Sequence, residues 1–387
     1  MVPRLLVDVL DAVLGCHRAL LRSDDVGQGW HGRRPATPDF THTEGSRFNT
    51  DTMAEHPDLP PVHRHESSAL VHNGGVPAYV YKVTKRDPMT HWYDDYERSD
   101  HGAVESAYLA AVAAFGRETG IARLAIREPQ VVGWVNFGLD PPVEGDGLTG
   151  LFPPDLAGFH DGAQIDLAVG LELVRVMLRE NGAWCRLELD DRFLVHVGYD
   201  QYMYVGSEVP CPVAVAEARK LGLFVEPIPE SPWAYEFEDT DERRPADDAF
   251  WTEVGAQAEA HGSLLLEATA VVNRPAFHRL TPGALATVRD QLAPRTMLAV
   301  WPDLSSDVGA VLGDLPGGLF TMVWQDQQGR INQQVCDDRL HDELRAMVSG
   351  ARAATIIYSN GIAMLARAIV ADPDGVVRAR WAFRADG

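Results

Sequence analysis

Cysteine is scarce in this chain, and its four residues, Cys16, Cys185, Cys211 and Cys336, are scattered singly. Such spacing forms neither a disulfide framework nor the paired pattern of a zinc site, so we expect a protein of the reducing cytoplasm with no structural metal. The sequence also lacks an uninterrupted apolar run of roughly 18 residues, which excludes a transmembrane helix of ordinary length. We therefore expect no membrane partner.

Nucleotide-binding and hydrolytic signatures are missing as well. No Gly-x-Gly-x-x-Gly follows a predicted strand, and no P-loop, Gly-x-Ser-x-Gly or His-Glu-x-x-His motif occurs. These absences weaken a dehydrogenase or NTPase interpretation, and we expect no cofactor.

Lysine is the third shortage: only Lys82, Lys85 and Lys220 are present, and arginine supplies the other basic residues. The formal net charge of −22 argues against a protein that binds nucleic acid non-specifically, because such proteins neutralise phosphates with a basic surface. A local basic groove on an acidic body remains compatible with this charge.

Residues 1–76 differ from the rest of the chain. They hold seven of the fourteen histidines and no lysine, and beyond the first 21 residues they show neither helical nor strand periodicity. We predict a disordered tail, or a start assigned too far upstream.

The remaining pattern is that of a mixed α/β (α+β) protein with two domains. We place a domain with an antiparallel meander at residues 77–230, a Pro-rich acidic linker at 231–246, and a domain of alternating strands and helices at 247–387. Helices are predicted at 102–119, 166–179 and 212–221, and short strands at 123–126 and 131–137 on either side of Pro129. The segment from residue 226 to the linker is predicted to be loop, and a last strand is predicted at 376–381.

The meander, predicted at 184–189, 193–197 and 202–205, carries the first candidate site. If its register brings the polar sides of the strands together, Arg186, Glu188, His196, Tyr202 and Tyr204 share one face. A titratable imidazole beside a carboxylate suits general acid–base catalysis, so His196, Glu188 and Tyr202 are candidate catalytic residues, and Arg186 and Tyr204 candidate substrate-binding residues. The same face could instead stack bases or form an ordinary solvated outer surface.

A second candidate lies around the start of the first helix, where basic residues alternate with aromatic ones. Lys82, Lys85, Arg86, Trp92 and His101 have the character needed to bind a phosphate backbone and an unstacked base. Four acidic residues between positions 94 and 100 offset these cations, so an acidic loop without a ligand is an equal alternative.

A third candidate is the turn Gly158-Phe-His-Asp-Gly162, where His160 and Asp161 could line the mouth of a pocket as a catalytic pair. An ordinary turn that leads into a helix explains the same residues.

From Tyr79 onward the chain resembles an actinobacterial family described as RNA-binding proteins. The resemblance covers most of residues 79–381 and rests on these stretches: Tyr81-Lys-Val-Thr-Lys-Arg-Asp-Pro88, Ser99-Asp-His-Gly102, Ile126-Arg-Glu-Pro129, Gly158-Phe-His-Asp-Gly162, Asn181-Gly-Ala-Trp-Cys185, Val195-His-Val-Gly-Tyr-Asp200 and Val300-Trp-Pro-Asp-Leu304. The group is in turn similar to transferases of antibiotic and other natural-product pathways that use aminoacyl-tRNA as acyl donor, of the valanimycin seryl transferase type. The resemblance assigns no residue a role.

What the resemblance implies is acyl transfer from aminoacyl-tRNA to a small hydroxyl or amine acceptor, with tRNA and a small molecule as partners. Two other functions stay open: RNA binding or regulation without catalysis, and an acidic protein-interaction module of the immunity type. A pocket that contains His196 or His160 beside a carboxylate would favour the enzyme.

Overall fold

The computed structural model describes residues 77–85, 101–134, 147–198, 202–232, 243–359 and 361–378. All of them belong to one compact unit, residues 70–387. The predicted tail at 1–76 lies outside the described residues, and the division into two domains stays a prediction. The interleaved helices and strands confirm the mixed α/β class.

The first sheet has seven strands, each antiparallel to its neighbours, in the order β3-β2-β4-β5-β6-β1-β7. They are β1 (Tyr79–Thr84), β2 (Arg123–Trp134), β3 (Gln164–Asp166), β4 (Asn181–Leu189), β5 (Phe193–Val197), β6 (Met203–Ser207) and β7 (Phe224–Ile228). Strands β4 to β6 form the predicted antiparallel meander, because alternating residues and two short turns specify its register locally.

One face of this sheet is covered by α1 (His101–Thr119), α2 (Leu167–Leu178) and α3 (Pro212–Lys220). Tyr108, Phe115 and Leu173 of the helices are buried against Leu187 and Val195 of the sheet. Burial of each such side chain contributes about 2 kcal/mol to the stability of the fold. Because the apolar residues must face the helices, the residues between them in each strand face the opposite side of the sheet.

Helix α3 starts where another helix supplies its cap. The Glu118 carboxylate, near the end of α1, accepts hydrogen bonds from the Val213 and Ala214 amides at 3.3 and 2.7 Å. Pro212 at the first position has no amide hydrogen that needs a partner. The cap ties α3 to α1 and so to the β6–β7 side of the sheet.

The prediction of two separate strands around Pro129 was wrong, since β2 runs through as one strand. The chain absorbs the proline in a bulge between Arg127 and Gln130, where Glu128 adopts a positive φ of 49°. The loop predicted from residue 226 was also wrong at its start, because β7 extends to Ile228 as the edge strand that can accommodate Pro227.

The described residues from 243 onward build two further sheets. A five-stranded sheet has the order β10-β9-β11-β15-β8, with only the β15–β8 pair parallel among its described pairings, and a three-stranded sheet has the order β13-β12-β14. Their strands are β8 (Arg243–Pro245), β9 (Leu264–Thr269), β10 (Ala276–Leu280), β11 (Met297–Pro302), β12 (Phe320–Gln325), β13 (Ile331–Cys336), β14 (Ala353–Tyr358) and β15 (Arg367–Ile369). The helices are α4 (Asp248–His261), α5 (Leu285–Gln291), α6 (Val308–Gly313), a 3-10 turn (Asp338–Leu340) and α7 (His341–Val348).

The two smaller sheets pack face to face. Leu265, Ala299 and Trp301 of the five-stranded sheet meet Val323 and Ala353 of the three-stranded one. Helices α4 and α5 cover the outer face of the five-stranded sheet, and α6 and α7 cover that of the three-stranded sheet.

Strand β8 lies inside the predicted linker. No strand forms at 376–378, the described part of the one predicted at 376–381. Within the described ranges, no helix has the length and apolar character needed to cross a bilayer.

Candidate functional site

The face of the seven-stranded sheet opposite the helices carries a row of polar side chains. Residues directly opposite one another across antiparallel strands lie on the same face. The register aligns one residue from each of six successive strands, β2, β4, β5, β6, β1 and β7: Arg127, Arg186, His196, Tyr204, Lys82 and Glu226. We call this face the polar face.

His196 lies at the centre of the polar face and is fully buried. Its Nε2 is 3.0 Å from Glu188 Oε1, and its Nδ1 is 2.8 Å from Ser231 Oγ. In the tautomer that carries its proton on Nε2, the imidazole donates to the Glu188 carboxylate. The lone pair on Nδ1 then accepts the hydroxyl hydrogen of Ser231.

Ser231 reaches His196 from a distant part of the sheet. It follows β7, which is three strands away from β5 in the strand order. The chain therefore turns back over the polar face after the edge strand, and Ser231 is only 2% exposed. The result is a continuous serine–histidine–carboxylate series inside the protein.

Arg186 joins this series to a second carboxylate. Its Nε is 3.7 Å from Glu188 Oε1, and its Nη2 is in close contact with Glu128 Oε1. Burial raises the pKa of Glu128, and the nearby Arg186 guanidinium opposes that shift without cancelling it. Arg186 thus lies between two carboxylates, one of which holds His196.

The bulge in β2 is what brings Glu128 to this place. Its amide donates to Asp161 Oδ1 at 2.8 Å, which holds the backbone in the left-handed conformation. Asp161 is 1% exposed, and its Oδ1 also lies 3.1 Å from Arg127 Nε. A buried carboxylate with these partners anchors the edge of the polar face.

A chain of ion pairs continues from Asp161 towards the C-terminal residues. Arg295 Nη1 lies 3.4 Å from Asp161 Oδ2, and Arg295 Nε lies 2.8 Å from Asp372 Oδ1. Arg378 adds a third contact, with its Nη1 2.8 Å from Asp372 Oδ2. Gly162 leaves room for this arrangement, because a Cβ there would lie 2.6 Å from the Arg295 guanidinium.

Two tyrosines and a lysine complete the face on the other side of His196. Lys82 Nζ lies 4.6 Å from the centroid of the Tyr202 ring, within range of a cation–π interaction. Tyr204, directly opposite His196, is buried, which raises the pKa of its phenol. Tyr204 therefore stays protonated near neutral pH and can act as a hydrogen-bond donor.

The structure brings together one of the three sets of candidate residues. Arg186, Glu188, His196, Tyr202 and Tyr204 share the polar face, with Glu188 on the same side because it lies two positions from Arg186 along β4. The catalytic and binding roles assigned to them remain predictions.

The other two sets are divided. The ring of His160 contacts the backbone carbonyl of Asp161 at 2.9 Å rather than its carboxylate, which is engaged by arginines. The described geometry thus does not form the predicted His160–Asp161 pair, since the turn directs the two side chains to different partners. Of the second set, Lys82 joins the polar face. Lys85 donates its backbone amide to the hydroxyl of Tyr108 at 2.8 Å.

Three predicted binding residues cannot be placed beside them. Arg86 and Trp92 lie outside the described residues, and His101 is the first residue of α1, with no described side chain. Their predicted role in phosphate binding stays a prediction.

Sequence reasoning missed Ser231, Glu128 and Arg127. Ser231 falls in a segment predicted to be linker, and no local period points to it. Arg127 offered only a weak signal, as a charge that directly follows the apolar residues Leu124–Ile126. Glu128-Pro129 was interpreted as a break between strands instead of a bulge.

In the described ranges no group of three or more His, Cys, Asp or Glu side chains is arranged to hold a metal ion. The chemistry that the polar face itself can perform is proton transfer at His196, in a setting shielded from water and surrounded by fixed charges. Comparison with protein-family models, with curated proteins and with solved structures finds no match to this chain.

Proposed function

We propose that the polar face catalyses acyl transfer from an aminoacyl ester carried by tRNA to a small hydroxyl or amine acceptor. The observation that carries this proposal is the position of His196, held at Nε2 by Glu188 and with Nδ1 facing a hydroxyl. A base oriented in this way removes the proton of an attacking nucleophile, which is the step that ester transfer requires.

Two cations of the polar face lie near His196. Arg186 on β4 lies directly opposite His196 on β5, and Lys82 on β1 lies directly opposite Tyr204 on β6. Both cations face carboxylates, Arg186 between Glu128 and Glu188 and Lys82 opposite Glu226, on a chain whose net charge is −22. Cations fixed in a site of low polarity stabilise the negative charge that develops on the ester oxygen in the transition state.

The choice of aminoacyl-tRNA as donor rests on the sequence resemblance described above. Its ester is already activated, so the reaction needs no nucleotide, redox or metal cofactor to proceed. We place the reaction in the cytoplasm, where charged tRNA is made.

Burial argues against a shallow RNA-binding platform on this face. Such platforms stack bases on exposed rings, whereas Tyr204 is 9% exposed and His196 is fully buried. A sheltered base fits a reaction from which water must be excluded better than it fits base stacking.

The proposal is tested by discharge of aminoacyl-tRNA with a simple acceptor. Total tRNA charged with labelled amino acids is mixed with the purified protein and hydroxylamine, and the labelled hydroxamates are counted against the uncatalysed rate. We expect the protein to accelerate hydroxamate formation for one amino acid or a small set. His196→Gln should reduce that acceleration about 100-fold or more, since general base catalysis contributes on this scale.

Two variants sharpen the result. Glu188→Gln should also lose most of the acceleration, because an amide can donate to Nε2 and so place the imidazole proton on Nδ1, where it cannot act as a base. His261→Ala removes an exposed histidine at the end of α4 and should leave the rate unchanged. Equal hydroxamate formation with the wild-type protein and with buffer would overturn the proposal.

A further inference from the structure

We infer that Ser231 is a nucleophile that carries the acyl group covalently between donor and acceptor. This inference rests on the acyl-transfer proposal and adds an intermediate to it. The polar face would then operate by two transfers, first from the donor ester to Ser231 and then from Ser231 to the acceptor.

The geometry is that of an activated hydroxyl. Ser231 Oγ lies 2.8 Å from His196 Nδ1, and Glu188 Oε1 lies 3.0 Å from His196 Nε2. A nucleophile within hydrogen-bond reach of a base, with the base oriented by a third group, is the arrangement by which serine becomes reactive. It is recognised by geometry and roles and not by residue order. Here Nδ1 faces the hydroxyl and Nε2 faces the carboxylate.

The chemistry balances with the groups present. Ser231 Oγ attacks the ester carbonyl carbon while its proton moves to His196 Nδ1. The ester C–O bond then breaks, the proton passes to the departing ribose hydroxyl, and the acyl group remains on Oγ. In the second half, an acceptor amine or hydroxyl attacks the acyl-serine, gives its proton to His196, and Ser231 recovers the hydrogen as it leaves.

Burial explains why the acyl group would reach the acceptor and not water. Ser231 is 2% exposed and His196 is fully buried, so bulk water has little access to an ester formed there. A base in contact with free water would hydrolyse the intermediate. The same burial means that the donor reaches Ser231 only after local opening, so a small probe is the right first reagent.

The first experiment uses diisopropyl fluorophosphate, a small reagent that bonds to activated serines with loss of fluoride. The full chain is treated at neutral pH and the modified residue is located by peptide mass spectrometry. We expect a single stoichiometric adduct on Ser231, and His196→Gln should slow its formation about 100-fold. No adduct on Ser231, or equal rates in wild type and His196→Gln, would overturn the inference.

Ser207 provides a matched control. It is also fully buried in the same sheet, but lies opposite Phe193 on the helix-covered face, where its hydroxyl accepts from the Val209 amide. Ser207→Ala should keep the adduct on Ser231. Ser231→Cys retains a nucleophile and should form a thioester, which separates loss of chemistry from loss of folding if Ser231→Ala is unstable.

The second experiment separates this inference from the proposed function. Labelled aminoacyl-tRNA is mixed with the protein without acceptor, quenched in acid, and the protein is analysed for an acylated Ser231 peptide. Acyl-Ser231 that disappears on addition of hydroxylamine supports both ideas. Catalysed transfer that persists undiminished in Ser231→Ala would overturn the covalent intermediate and leave direct transfer intact. If diisopropyl fluorophosphate modifies Ser231 but the protein accepts no acyl group from aminoacyl-tRNA, Ser231 is a nucleophile and the tRNA donor is overturned.

Discussion

The substitution Gly162→Ala tests how the ion pairs behind the polar face are held together. Gly162 has a φ of 81°, and an added Cβ would lie 2.6 Å from both Cζ and Nε of Arg295. Arginine side chains normally move aside for such an intrusion. Here the guanidinium is held by Asp372 at 2.8 and 2.9 Å and lies 3.4 Å from the buried Asp161.

The expected cost has two parts. An alanine in the left-handed conformation costs about 1 kcal/mol. Displacement of Arg295 weakens its contacts with the buried Asp161 and the partly buried Asp372, and loss of a partner from a buried ion pair costs about 3 kcal/mol. We therefore expect Gly162→Ala to destabilise the protein by about 4 kcal/mol.

Gly262 is the matched control, because it has the same φ of 81° and open space where a Cβ would stand. Gly262→Ala should cost only the backbone part, about 1 kcal/mol. The assay is urea unfolding followed by tryptophan fluorescence, with Gly162→Ala made in the wild-type and in the Arg295→Ala background. We expect the cost of Gly162→Ala to fall to about 1 kcal/mol when Arg295 is absent. An equal cost in both backgrounds would refute the claim that the glycine makes room for Arg295.

Three other predictions concern titratable groups. Burial raises the pKa of Asp372, but hydrogen bonds from Arg295 and Arg378 outweigh burial, so that the pKa is lowered. The Asp372 carboxylate therefore stabilises the fold above about pH 4, and this stabilisation is lost as the pH falls. Asp372→Asn should thus cost about 3 kcal/mol at pH 7 and progressively less in urea unfolding towards pH 3; a cost independent of pH would contradict this. Burial raises the pKa of Glu267, so its charged form opposes folding, and the stability of Glu267→Gln relative to wild type should rise between pH 4 and pH 7. Burial raises the pKa of the Cys336 thiol to about 11, so iodoacetamide at pH 8 should modify it only after unfolding, and rapid modification of the native protein would count against its burial.

The sequence predicted the meander and the helices that cover it, because these depend on local patterns. Strand β5 occupies the predicted residues 193–197, and α1 begins one residue before the predicted start. In both cases the apolar period is uninterrupted and the ends carry turn or cap residues. Because a strand alternates its faces, the same pattern predicted that Arg186, Glu188 and His196 could share a side.

The parts that could not be predicted depend on contacts between distant segments. Strand β1 inserts between β6 and β7, more than 100 residues away along the chain, and no local period specifies that position. Glu128 reaches Arg186 through a bulge whose stability comes from Asp161, 33 residues further on. Ser231 contacts His196 only because the chain crosses the polar face after β7. No local pattern specifies that crossing, and the composition of residues 231–246 alone indicated a linker.

The central claim is tested most directly by the rate at which labelled aminoacyl-tRNA is discharged at saturating protein in a single turnover. Wild type and His196→Gln are compared across pH 6 to 9, with thermal unfolding used to show that both are folded. We expect a rate above the buffer control that varies with pH in the wild type, and a rate at the level of the buffer in the variant. Discharge by folded His196→Gln at the wild-type rate would contradict the central claim.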